Sequence, residues 1–151
     1  MDYLDSLKKG ILGGLAGGVV FGALMGMMGM LPMIGGMIGL PSALPGFLVH
    51  MMMSAAIGAG FGLFVGLFVN GRALIGAGVA YGALWWVLGP LTFMPWLMGM
   101  GLAANLNPAG MAAARGSLMG HLIYGAVLGF TVLRLRGAAA DAREPAVGQT
   151  V

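Results

Sequence analysis

The sequence predicts an all-α integral membrane protein of four transmembrane helices, arranged as two parallel two-helix repeats with short apolar re-entrant or interfacial outer loops. Three observations carry this. First, 60% of the 151 residues are hydrophobic and only 7% are charged, whereas soluble domains carry roughly 25% charged residues. So few charges cannot solvate a globular surface, and the outside of the molecule must face lipid. Second, four apolar runs approach or exceed the about 20 residues that a helix needs to cross a bilayer core. Third, the second half of the chain echoes the first.

The elements follow in order. The opening "MDYLDSLKKG" carries Asp2 and Asp5 and leads into a long apolar run without a clear small-residue cleavage site. It reads as a retained first span and not as a cleaved signal peptide. The spans are placed at 11–31, 46–69, 73–97 and 117–134. The fourth is the shortest, bounded by "AAARGS" and "RLRG". The runs are continuously apolar without period-two alternation, which argues against a β-barrel. Backbone polar groups must be satisfied in lipid, so the runs are helices. Pro90 predicts a kink in the third span. The connections "PMIGGMIGLPSAL" and "MGMGLAANLNPAGMAA" are too apolar for free loops. Residues 1–137 form the membrane domain, and 138–151 read as a disordered polar tail.

Lys8, Lys9, Arg72, Arg134, Arg136 and Arg143 fall on one side of this threading and Arg115 on the other. The positive-inside rule then places both termini in the cytoplasm, in the inner membrane of a prokaryote.

Several function classes are excluded. A formal charge of +3 without a basic face argues against nucleic acid as a partner. The absence of cysteine removes disulfides, thiolate metal sites, Fe–S clusters and covalent c-type haem attachment. The acidic residues are Asp2, Asp5, Asp141 and Glu144, all outside the spans, so carboxylate cation filters and carboxylate proton relays are excluded. Ser54 and Ser117 each lie four residues from a histidine, but without oxyanion donors or an orienting acid they do not make an enzyme.

The internal repeat points to the site. "FGALMGMMGML" (21–31) matches "YGALWWVLGPL" (81–91), and "HMMMSAAIG" (50–58) matches "HLIYGAVLG" (121–129). His50 and His121, the only histidines, thereby become equivalent. Two parallel repeats imply a pseudo-twofold axis along the membrane normal, which sets both histidines at one depth, near the outer surface. Small residues recur every fourth position beside them: Gly46, Ser54, Gly58 and Gly62 with His50, and Ser117, Gly125 and Gly129 with His121. Residues four apart share a helix face, and such stripes admit a neighbouring helix or a flat ligand. A third stripe, Gly10, Gly14, Gly18, Gly22 and Gly26, reads as helix packing.

An ionisable residue within a span is a functional hypothesis by default. The bland alternative is a neutral histidine that bonds a carbonyl and locks two helices. The most specific functional reading is bis-histidine haem b for electron transfer, with His50 and His121 as axial ligands, Ser54, Gly58, Gly125 and Gly129 beside the ring, and Arg115 near a propionate. A second reading is a solute, proton or Cu(I) pathway, with His50, His121, Met51 and Met94 as metal ligands, since thioethers and imidazoles suit Cu(I). Of the 15 methionines, twelve crowd the outer half of the chain: Met25, Met27, Met28, Met30, Met33, Met37, Met51, Met52, Met53, Met94, Met98 and Met100. Methionine is also a flexible apolar filler. A structural membrane protein without any ligand is the third reading. The glycine stripes also permit a homo-oligomer or a subunit of a larger membrane complex.

"GFLVH" (46–50), the "MP" of 94–95 and "GHLIYG" (120–125) together resemble small prokaryotic inner-membrane proteins of the YagU kind. The resemblance covers scattered pieces of the chain, which is richer in methionine than that family. It implies a multi-span bacterial or archaeal membrane protein with His50 and His121 as the positions to watch, and it supplies no reaction.

Overall fold

The computed structural model describes residues 2–141. All regular structure among them is helical, and four of the helices are long and apolar enough to cross a membrane: Tyr3–Met27, Ala43–Val65, Ala73–Leu97 and Pro108–Ala139. The all-α, four-span expectation therefore holds, while three of the four spans have different ends.

Helix α1 (Tyr3–Met27) starts well before residue 11 because Asp2 caps it. The Asp2 carboxylate accepts from the backbone N–H groups of Leu4 and Asp5, both at 3.1 Å, which satisfies two of the donors a helix start leaves free. Gly29, at φ +68°, ends the run before residue 31. A short helix α2 (Leu31–Gly36) follows, with Pro32 in its first turn. It buries Leu31, Ile34 and Gly35 and packs on α3 where Gly46 meets the Leu31 carbonyl. Helix α3 (Ala43–Gly60) continues as a π-helical turn over Phe61–Val65.

Helix α4 (Ala73–Trp86) runs through a π-helical stretch, Val87–Phe93, into the short α5 (Met94–Leu97). Pro90 lies inside that stretch and has no N–H to donate. Nearby carbonyls find other partners: Thr92 Oγ1 donates to Val87 O at 2.9 Å, and Asn105 Nδ2 to Pro90 O at 3.1 Å.

The fourth span departs most from expectation. Helix α6 covers Pro108–Asp141 and is the longest of the set, not the shortest. Asn107 caps it, accepting from Gly110 N at 3.0 Å, with Pro108 in the first turn. Alanines at 112–114 and 138–140 extend it at both ends, alanine being the best helix former. The expected tail at 138–151 thus begins as helix through Asp141, and its remainder, with Arg143 and Glu144, lies outside the described residues.

Glycines line the closest helix contacts, large side chains such as Phe61, Leu74 and Leu128 fill the core, and many other large apolar side chains face outward. Leu12, Val19, Leu48, Met52, Phe64, Leu84, Met119 and Phe130 are all exposed, which suits lipid as the surrounding solvent. Helices α1 and α3 meet backbone to backbone: a methyl on Gly58 would lie 2.6 Å from Gly14 Cα, and Gly10 faces Gly62. Helices α4 and α6 meet likewise, where Gly78 faces Gly125 and Gly129 faces the Leu74 carbonyl. Helices α1 and α6 pack through Gly13 on Leu128, Gly17 on Tyr124 and the Phe21 ring on Gly120. By contrast α3 and α4 scarcely touch; Tyr81 Oη crosses the gap to donate to Ile57 O at 3.0 Å. The bundle is therefore a C-shaped row, α3–α1–α6–α4, with a cleft between its two ends.

Candidate functional site

His50 lies in the third turn of α3, buried against α1. Its Nε2 donates to the Gly18 carbonyl at 3.0 Å, and Ser54 Oγ is 3.5 Å from the same nitrogen. His121 lies mid-way along α6, and its Nδ1 donates to the Ser117 carbonyl one turn earlier, at 2.8 Å. A carbonyl only accepts, so in each neutral ring the bonded nitrogen carries the proton and the other keeps its lone pair. Those lone-pair atoms are Nδ1 of His50 and Nε2 of His121, and neither has a protein partner among the described residues. Holding one ring N–H on a carbonyl is how proteins fix the tautomer of a ligating histidine.

The Phe21 ring packs edge-to-face against both imidazoles. Its centroid is 5.3 Å from His50 at an interplanar angle of 89°, and 4.8 Å from His121 at 64°. These edge-to-face contacts place both histidines at one level of the bundle. Gly22 lets His50 approach α1, and Gly120 makes room for the Phe21 ring.

Both histidines line one cavity of about 140 Å³ at the α2 end of the cleft. Its walls come from all four spans and from α2. They include Met25 on α1, Met33 and Ile34 on α2, Met53 and Ser54 on α3, Trp85 and Pro90 on α4 and its π stretch, Met94 on α5, and Ser117 and Tyr124 on α6. Among the described residues no carboxylate, lysine or arginine contributes to this wall. Met33, Met53, Phe93 and Leu97 are partly exposed and form its rim.

Of the residues singled out from the sequence, His50, His121, Ser54 and Met94 come together here. Gly58, Gly125 and Gly129 lie in the backbone contacts of α3 with α1 and of α6 with α4, away from the cavity. Arg115 is exposed and does not line it. Met51 turns toward Gly18, its sulfur 3.3 Å from where a Cβ of that glycine would lie. Ser117 Oγ is engaged with the Ala114 carbonyl at 2.8 Å. Phe21 and the convergence of methionines on the cavity were not legible in the sequence, although the crowding of methionine was.

Comparison with protein-family models, curated proteins and solved structures finds no match for this chain. The function is therefore read from the geometry.

Proposed function

We propose that this protein binds a small ligand within the membrane, in the cavity that His50 and His121 share, without catalysing a covalent reaction on it. The observation that carries this reading is the pair of histidines, each pinned to a backbone carbonyl by one nitrogen and left with a free lone pair on the other. A histidine serving only as a helix lock needs no cavity at its other edge. In the same wall Trp85 Nε1 is buried without a hydrogen-bond partner among the described residues; leaving a buried donor unpaired is costly, and a ligand that accepts from it removes the cost. In this reading the two helix pairs are the proposed repeats, the termini are cytoplasmic, and the cavity lies toward the outer leaflet of a prokaryotic inner membrane, following the distribution of Lys8, Lys9, Arg72, Arg134 and Arg136.

Haem b is the second reading, because it would use the same two nitrogens. A cavity of about 140 Å³ is close to the roughly 150 Å³ that admits a benzene-sized guest, so a macrocycle requires wall side chains such as Phe21, which packs on both imidazoles, to move aside. The glycines beside the histidines are already filled by helix backbone.

The test is the ligand content of the full chain purified in mild detergent after expression with haem and copper supplied. It is read by visible absorption, elemental analysis and mass spectrometry under non-denaturing conditions. The wild type retains a ligand, and His50→Ala and His121→Ala each lose it at unchanged helicity. A wild type without ligand, or variants that keep it, overturns the proposal.

A further inference from the structure

The wall of the cavity specifies a ligand class. Six methionines line it: Met25 from α1, Met30, Met33 and Met37 from α2 and its flanks, Met53 from α3 and Met94 from α5. Filler methionine closes a gap, yet these side chains surround a space that stays open. Together with His50 and His121 they form a neutral set of sulfur and imidazole donors, with no carboxylate among them.

We propose that this cavity is a site for a soft monovalent metal ion, Cu(I) or Ag(I), bound by methionine sulfurs and by the free nitrogen of His50 or His121. The proposal rests on the ligand-binding reading above and names its ligand. Hardness and charge both favour this class. Thioethers select soft ions, whereas Mg²⁺ and Ca²⁺ sites are built on carboxylates, and among the described residues this wall has none. The cost of burying an ion rises with the square of its charge, so a neutral cavity in lipid tolerates a monovalent ion far better than a divalent one. Neither donor type has to lose a proton when the metal binds, given the tautomers that the carbonyls of Gly18 and Ser117 impose.

The full chain, purified in detergent and kept reduced without oxygen, is titrated against Cu(I) supplied as its bicinchoninate complex, with Zn²⁺ as a control metal. The expected result is withdrawal of Cu(I) from the chelator in equal proportion to the chain, with sulfur and nitrogen neighbours at the copper X-ray absorption edge and no comparable uptake of Zn²⁺. The double variant Met25→Leu/Met94→Leu keeps volume and apolarity and loses affinity by about tenfold or more, which corresponds to 1.4 kcal/mol or more. A wild type that leaves Cu(I) with the chelator, prefers Zn²⁺, or binds no better than the double variant overturns the metal assignment. If the protein then still carries another ligand that the histidine variants lose, only the metal class falls. If it carries none, the ligand-binding reading falls as well.

Discussion

At the scale of single residues, Phe21 governs what fits. Its ring touches both imidazoles and lines the cavity they share. Phe21→Ala enlarges the cavity and costs about 3–5 kcal/mol of stability by loss of a packed ring. A bulky planar ligand gains from the added space, while a metal ion held by sulfur does not. Titration of wild type and Phe21→Ala with haem therefore separates the two ligand readings. Haem uptake by the variant alone, with Cu(I) affinity changed by less than threefold, is expected; equal haem uptake by both removes Phe21 as the barrier. The glycines act at the same scale. A methyl on Gly58 meets the backbone of Gly10 and Gly14, so Gly58→Ala costs about 1–3 kcal/mol through overpacking. Gly76 has open space around its missing side chain, and Gly76→Ala stabilises by about 0.5–1 kcal/mol. Thermal unfolding in one detergent, reporting shifts of opposite sign, checks both.

At the scale of elements, the sequence showed where helices lie far better than where they end. Apolar length decides a span, whereas ends depend on single caps. Asp2 and Asn107 were both visible as residues, but their role depends on which N–H groups reach them. Pro90 was expected to kink its span, and the structure resolves this into a π-helical stretch whose carbonyls are served by Thr92 and Asn105. The π-helical end of α3 has a comparable partner that the sequence did not reveal. Arg136 on α6 donates to the carbonyls of Gly66 and Val69, the latter at 3.0 Å, and lies 3.3 Å from Asn70 Oδ1. Its fork of donors serves several acceptors at once, which a lysine ammonium at the end of a flexible stem does less well. Arg136→Met is expected to cost about 1.5–3 kcal/mol, the range for hydrogen bonds to a charged group, and Arg136→Lys to recover only part of it. Hydrogen exchange at residues 66–70 localises the effect; an unchanged exchange rate there contradicts the role given to Arg136.

For the whole molecule, the informative feature is an asymmetry. In the proposed repeat α1 corresponds to α4 and α3 to α6, so the α1–α3 and α4–α6 pairs are equivalent. Their contacts agree: Gly18 meets Ser54 as Gly78 meets Gly125, and Gly14 meets Gly58 as Leu74 meets Gly129. The same correspondence makes α1–α6 equivalent to α4–α3, yet the first pair is packed and the second is a cleft. Side-chain size gives the reason. Gly13, Gly17 and Gly120 let α1 and α6 approach, whereas the corresponding positions on the open side carry Ala73, Ala77 and Val49. A weakly packed face is where a bundle moves at least cost, and the cavity borders that face. The prediction is that α3 and α4 draw together around bound metal while α1 and α6 stay fixed. The chain has no cysteine, so spin labels can be attached at chosen pairs without removing native thiols. Met52→Cys with Leu84→Cys spans the cleft, and Val20→Cys with Met119→Cys spans the packed pair; all four side chains are exposed and none lines the cavity. Electron–electron distance measurements are expected to give a broad distribution for the first pair that narrows with Ag(I), and a narrow, unchanged one for the second. Two distributions of equal width, both indifferent to Ag(I), would show a rigid bundle in which the cleft serves as an open door to lipid and not as a moving part.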